Sequence, residues 1–200
     1  MILNRFSLSV IRLKLLLWRF YRFSPPHRLV EKQLPSHPHQ GADLIYGEPF
    51  IFTLKKMFKR VNLKPEETLL DIGCGRGLGI FTAALFFQAQ ALGIEIIPDM
   101  VRRARIISRL MKIEDRAAFW PGDFLAGELP QADVIYLCGT TFSPETRKLL
   151  TEKLEILKPG TRLISLSYPL LSKKIKLKFS EKLFFSWGKA TVYYQEIIQI

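Results

Sequence analysis

Cysteine is scarce in this chain. The 200 residues include two, Cys74 and Cys138, 64 positions apart, which excludes a disulfide framework or a cysteine-rich zinc site and suits a reducing compartment. All three histidines, His27, His37 and His39, fall in one proline-rich stretch with no cysteine or paired carboxylate beside them, so His37 and His39 make a poor metal site. No internal repeat is visible. No apolar run approaches the roughly 18–20 uncharged residues of a bilayer-spanning helix, and no acid precedes Glu31. What is present describes a folded domain: 48% hydrophobic, 24% charged, 12 Gly and 12 Pro, which rules out a wholly disordered or collagen-like chain.

The net charge of +12 sits at the two ends. Residues 1–40 carry seven Lys/Arg against one acid, residues 41–160 sixteen against fifteen, and residues 161–200 seven against two. A nearly neutral centre with basic flanks suggests a catalytic or binding domain drawn to something anionic: a membrane surface, nucleic acid or acidic protein.

Residues 1–24 read as a basic amphipathic helix. Arg5, Arg12, Lys14, Arg19 and Arg22 interrupt it, and the uninterrupted apolar centre and cleavage site of a secretory signal are missing. On a helical wheel Ile2, Leu3, Phe6, Val10, Leu13, Leu17, Phe20 and Tyr21 fall within about 100° of arc. Arg5, Arg12, Arg19 and Arg22 share the opposite side, with Leu8 and Leu15 among them. Three readings stay open: a helix lying on a membrane surface, a helix packed on the domain by its apolar stripe, and a mitochondrial presequence. The expected location is accordingly cytoplasmic, peripheral to a membrane, or mitochondrial. Residues 25–42 hold four of the twelve prolines; Pro25-Pro26 ends the helix and the stretch reads as a linker.

Residues 43–200 alternate strand, loop and helix. TLLDIGCG, ALGIEI, AAFWPGDFL, ADVIYLCG and TRLISLSYPL read as strands with their exit loops. Between and before them lie helical patterns such as FIFTLKKMFKRVNL, PDMVRRARIISRLMKI and SPETRKLLTEKLEILK. Such alternation predicts an α/β fold with a doubly wound, mostly parallel sheet. The tail has two β-rich runs around Trp187-Gly188, an antiparallel hairpin closing the sheet.

Ligands of such sheets bind at the carboxyl ends of the strands, which here carry Asp71 to Gly77, Glu95, Asp123-Phe124 and Cys138 to Thr141. Gly73, Gly75 and Gly77 form GxGxG; Leu78 stands where a dinucleotide fold has its third glycine. Asp71, ending its strand two residues before the first glycine, would repel a pyrophosphate and welcome a cation. Glu95, 24 residues on, is placed for both ribose hydroxyls. Asp123, 28 residues further, offers an acceptor for an exocyclic amine, with Phe124 as an apolar lid for a purine. A ligand with a sulfonium or ammonium, a ribose and an adenine but no phosphate is S-adenosylmethionine. Cys138 reads as a buried thiol rather than a nucleophile.

Over about residues 45–200 the sequence resembles the class I, seven-strand S-adenosylmethionine-dependent methyltransferases, with LLDIGCGRG similar to their first motif, GIEI to the ribose-binding strand end and GDFL to the adenine loop. LIYGEPF, VIYLCGTTFSPE, LKPGTRLIS and SWGKATVYYQE resemble non-SET histone-lysine methyltransferases, and the small lysine methyltransferases of ATP-synthase c subunit are similar in size and in their hydrophobic N-terminus. The resemblance implies that Asp71, Gly73, Gly75 and Gly77 hold the methionine portion, Glu95 the ribose, and Asp123 with Phe124 the adenine. Tyr46 and Glu48 would lie over the methyl-transfer pocket, and Tyr46, Glu48 and Thr140 are the candidates for handling the substrate proton. Cys138 and Gly139 stand where the histone enzymes have two asparagines, and the NPPY-type tetrapeptide of amide and adenine-N6 methylases is absent. The expected activity is protein-lysine N-methylation near a membrane. Open alternatives are a lipid-phase small molecule, an RNA gripped by Lys173, Lys174, Lys176 and Lys178, and a non-catalytic cofactor-binding module.

Overall fold

Apolar runs that must be covered on both faces become the strands of a parallel sheet. The computed structural model describes residues 5–33 and 47–200. In it β1 (Thr68–Ile72), β2 (Gln90–Glu95), β3 (Ala117–Pro121), β4 (Val134–Leu137) and β5 (Arg162–Leu166) pair in parallel. The hairpin β6 (Ile175–Phe185) and β7 (Gly188–Ile197) adds antiparallel, giving the order β3-β2-β1-β4-β5-β7-β6. This is the doubly wound, mostly parallel α/β sheet with a closing hairpin that the alternation of the sequence predicts. The winding reverses between β1 and β4, so the loops leaving those two strands diverge and open a crevice.

Side chains alternate across the sheet. Leu69 joins the core under one face, Leu70 and Ile72 the core under the other; Asp71 therefore shares the face of Leu69. That face is covered by α3 (Ile51–Arg60), α4 (Leu78–Thr82) with the π-helical turn Ala83–Phe87 that continues it, and α5 (Pro98–Met111). The apolar spacing selects the buried sides: Leu54, Met57 and Phe58 on α3, and Met100, Ala104, Ile107 and Met111 on α5. The opposite face is covered by α6 (Pro144–Leu154), which starts where Ser143 Oγ accepts from the amide of Thr146 at 3.1 Å and buries Leu150 and Leu154.

The N-terminal helix α1 (Arg5–Tyr21) lies on the first face. Leu13, Leu17 and Tyr21, three members of the apolar stripe, are buried against the domain. Arg103 of α5 donates to the carbonyls of Phe20 (2.8 Å) and Ser24 (3.1 Å), and Arg12 donates to the carbonyl of Leu110. The packed reading thus describes this stripe. The other side of α1 remains both apolar and basic, with Leu8, Ile11, Leu15 and Trp18 exposed beside Arg12, Lys14, Arg19 and Arg22.

The first part of the expected linker is instead a helix, α2 (Pro26–Gln33), burying Pro26 and Leu29. Proline is tolerated at the first helical position, where its missing N–H has no intrahelical partner and its fixed φ suits the helix. Pro25-Pro26 therefore ends one helix and begins another. The basic tail lies largely on the sheet edge: Lys176 and Lys178 are exposed on β6, and Lys178 pairs with Glu196 at 2.9 Å. Charge on an edge strand guards it against pairing with other chains.

Candidate active site

The loop after β1 is stitched to β2 by its backbone. The amides of Gly73 and Cys74 both donate to the carbonyl of Ile94, at 2.9 and 3.1 Å. Glu95, ending β2, accepts from the amide of Gly75 at 2.7 Å through one oxygen and from that of Ile97 at 2.9 Å through the other. One carboxylate thereby fixes the glycine loop and the start of α5, and its remaining lone pairs are available to a ligand. Asp71 is buried beside α4, where a Cβ added to Gly79 would meet its Oδ2 at 2.3 Å. Gly79 thus supplies the room in which the carboxylate sits.

Across the crevice, Asp123 Oδ1 accepts from the amide of Leu125 at 2.8 Å, an Asx turn that orients the loop after β3. Phe124 stacks on Phe142, with ring centroids 5.4 Å apart and planes 26° from parallel. At the mouth, Glu48 accepts from Arg76 through both oxygens, in one case over 3.2 Å. The Arg76 guanidinium also lies 5.1 Å from the centre of the Tyr21 ring, joining the glycine loop to α1.

Asp71, Gly73, Gly75, Glu95, Asp123, Phe124 and Glu48 line a single cleft. Gly77 and Thr140 are not on its wall. Gly77 starts α4 at φ +84° and packs against Phe119 and Phe81; Thr140 lies beside the Cys138 thiol. Tyr46 lies outside the described residues. Sequence reasoning missed Phe142, Tyr136 and Val30, which also line the cleft. Phe142 sits in the VIYLCGTTFSPE string and could have been suspected from it. Val30 comes from the stretch that reads as a linker, and Tyr136 looks like one more core residue of an apolar strand.

The electrostatics are those of buried carboxylates. Burial first, and the charge of Glu95 second, push Asp71 well above the ordinary carboxylate range. Burial also raises Glu95, opposed by the amides of Ile97, Gly75 and Ile96 that donate to it. Burial drives the Cys138 thiol up to about 12, against hydrogen bonding to Tyr136 and Thr140, so near neutral pH it is a protonated thiol and not a nucleophile. The described lining includes four acids, Glu48, Asp71, Glu95 and Asp123, and no Lys, Arg or His. In a chain of net charge +12, such a cleft selects cations and rejects phosphates.

S-adenosylmethionine fits this donor set. Its sulfonium and ammonium match the Asp71 end, its ribose hydroxyls the free lone pairs of Glu95, and its adenine the Asp123–Phe124–Phe142 wall. Phe142→Ala is expected to weaken S-adenosylmethionine binding about two- to tenfold, because an aromatic ring stacked on the adenine contributes ~0.5–1.5 kcal/mol beyond area burial. The half-buried ring should cost little stability, and calorimetry with thermal melting separates the two effects.

The family model of the ANTKMT methyltransferase domain matches residues 71–176. The chain belongs to this family. It is a class I S-adenosylmethionine-dependent methyltransferase domain, and its similarities run the same way. It is 31% identical over 123 residues to a protein-lysine N-methyltransferase of Saccharolobus islandicus, covering 58% of this chain and 74% of that one. It is 28% identical over 142 residues to an H3 lysine-79-specific histone-lysine N-methyltransferase of Eremothecium gossypii. That match covers 62% of this chain but only 24% of the fungal protein, so the chain spans about a quarter of that relative's length. An RNA methyltransferase of Salinibacter ruber, solved with S-adenosyl-L-homocysteine, superposes with a TM-score of 0.64 at 26% identity, over 74% of this chain and 92% of that one.

Proposed function

We propose that this methyltransferase domain methylates lysine side chains of a protein at a membrane surface. The observation that carries the reading is Glu48, the one carboxylate of the cleft lining that the cofactor does not take, on a lining with no basic side chain among the described residues, which suits an amine that arrives as an ammonium ion. Similarity to two protein-lysine methyltransferases supports it. The cofactor supplies a methyl carbon already activated by the sulfonium. Asp71, Gly73 and Gly75 would hold its amino-acid end, Glu95 the ribose, and Asp123, Phe124 and Phe142 the adenine.

The lysine must first lose its ammonium proton, to Glu48 or through it to water. The nitrogen lone pair then forms the N–C bond as the C–S bond breaks, the electron pair stays on sulfur, and the surplus proton leaves the methylated ammonium for water. The bidentate ion pair with Arg76 holds the Glu48 carboxylate in place at the mouth, so that the acceptor meets a fixed group. The membrane part of the proposal rests on the free side of α1, where Leu8, Ile11, Leu15 and Trp18 are exposed among basic residues. Such a face can lie in the headgroup region of anionic lipid. None of the described helices is long and apolar enough to cross a bilayer.

An RNA substrate is the second reading, favoured by the Salinibacter similarity and opposed by the acidic lining. The test is incubation of the purified protein with methyl-labelled S-adenosylmethionine and membrane and soluble fractions of source cells, with Asp71→Ala alongside. The expected result is label on lysines of a membrane-fraction protein, absent with the variant. Label in RNA or in the organic extract would overturn the lysine reading and leave the cofactor assignment standing.

A further inference from the structure

Tyr136 is the third residue of β4 and the register partner of Asp71 on β1, so both side chains leave the sheet on the same face. Its ring meets Phe58 edge-on, with centroids 5.7 Å apart and planes at 82°. It also runs beneath α4, where a Cβ on Gly79 would come within 3.4 Å of it. At 2% exposure the ring has one place to be. The phenol is carried to the cleft wall that Tyr136 shares with Asp71, Glu48 and Cys138.

The hydroxyl there is buried and has no oxygen or nitrogen partner among the described residues; its polar neighbour is the Cys138 thiol. A buried hydroxyl without a strong partner is uncommon and costs free energy unless something else compensates. A ligand that comes and goes is one such compensation. Burial, with the Cys138 and Asp71 charges next, pushes the phenol well above its ordinary value. The group is therefore a neutral hydroxyl near neutral pH, able to donate a hydrogen bond to the Cys138 sulfur and still to accept one through its oxygen.

We propose that Tyr136 Oη accepts an N–H of the substrate amine and so turns the nitrogen lone pair toward the methyl carbon. The inference rests on the lysine reading above and names a catalytic residue for it. A neutral primary amine has two N–H bonds and one lone pair. In-line attack requires that lone pair on the C–S axis, which leaves the N–H bonds pointing back at the wall, where they need acceptors. Glu48 at the mouth and Tyr136 in the floor are two such acceptors on the same cleft. Tyr136 takes up and gives off no proton in the reaction; it holds one N–H while the N–C bond forms and the C–S bond breaks.

Tyr136→Phe removes one oxygen and keeps the ring. Three measurements on the full chain test the idea: the thermal midpoint, calorimetric binding of S-adenosylmethionine, and the initial rate of label transfer to lysines of the source-cell protein fraction at saturating cofactor. The expected result is a rate lowered about tenfold, the factor that one lost hydrogen bond in the transition state supplies, with cofactor affinity within about twofold and a midpoint unchanged or raised. Thr82→Val removes another buried hydroxyl that has no partner among the described residues and does not line the cleft, and should leave the rate unchanged. An unaffected rate in Tyr136→Phe overturns the inference, as does a rate loss matched by the same loss of cofactor affinity, which would put the hydroxyl on the cofactor instead. If the wild type labels RNA or the organic extract, the lysine reading fails and takes this inference with it. If it labels lysine and Tyr136→Phe does so equally fast, the inference alone fails.

Discussion

Asp71→Asn should melt at a higher temperature than the wild type and bind S-adenosylmethionine far more weakly. Asp71 is 3% exposed, and burial together with the nearby Glu95 charge raises it well above its ordinary value of 3.8. Between those two values the folded chain holds a proton that the unfolded chain has released, so stability falls as pH rises through that window. Above it the ionised, desolvated carboxylate weighs against folding in full. Asparagine carries no charge to desolvate. Its gain should appear as about 2–4 °C of melting temperature for each kcal/mol relieved in a domain of this size, and only above the ordinary carboxylate range.

Binding has the opposite sign. A cationic ligand needs the ionised form, so affinity should strengthen as pH rises through the raised Asp71 value, with release of a proton. Removing one partner of a buried charge pair costs ~2–5 kcal/mol, or about 30- to several thousand-fold in affinity. Calorimetry in two buffers of different ionisation heat, repeated across pH, reads both the loss and the proton. A variant that binds as tightly as the wild type would move the cation away from Asp71. Stability given up at one residue for ligand binding is a common trade at functional sites.

Gly77→Ala should cost more stability than Gly73→Ala in the same loop, where the nearest atom to an added carbon lies 4.0 Å away. At φ +84° an L-residue is strained, and the new Cβ would lie 2.4 and 2.8 Å from ring atoms of Phe119 and 3.3 Å from Phe81. Those rings pack on each other, 5.4 Å between centroids, and neither is more than 2% exposed, so neither can swing away. The left-handed conformation costs ~1–2 kcal/mol and overpacking ~1–3. Together they lower the melting temperature by about 4–20 °C. Gly160→Ala separates the two: its φ is +89° but nothing lies within 4 Å of the added carbon, so it carries the backbone cost alone. Equal losses in the two variants would mean that the Phe119 ring yields. Because Gly77 does not line the cleft, its loss of cofactor affinity should follow from the displaced loop and be smaller than that of Asp71→Asn.

Much of the cleft could be read from one dimension because its residues are strand ends. Asp71, Glu95 and Asp123 each follow a short apolar run, and parallel strands joined by right-handed crossovers bring their carboxyl ends to one edge of the sheet. Local pattern and chain handedness therefore suffice to gather the three carboxylates with Phe124. Gly77 was legible only as part of a glycine string; that a side chain there would meet the Phe119 ring depends on a residue 42 positions away. α2 was hidden because Pro25-Pro26 signals an end and a start equally well.

From the sequence alone come the alternation of strands and helices in the core, the winding of the sheet, the acidic strand ends and the apolar stripe of α1, since each depends on neighbours within a few turns or on a general rule of handedness. Tertiary structure alone decided which distant groups meet: Glu48 with Arg76, Phe124 with Phe142, Tyr136 with Asp71, and the buried face of α1 with α5. It also decided charge states. Asp71 and Cys138 are ordinary titrating groups in an open chain, and they change character because segments from elsewhere exclude water from them. Periodicity along the chain contains no record of desolvation, which is a property of the space that folding encloses.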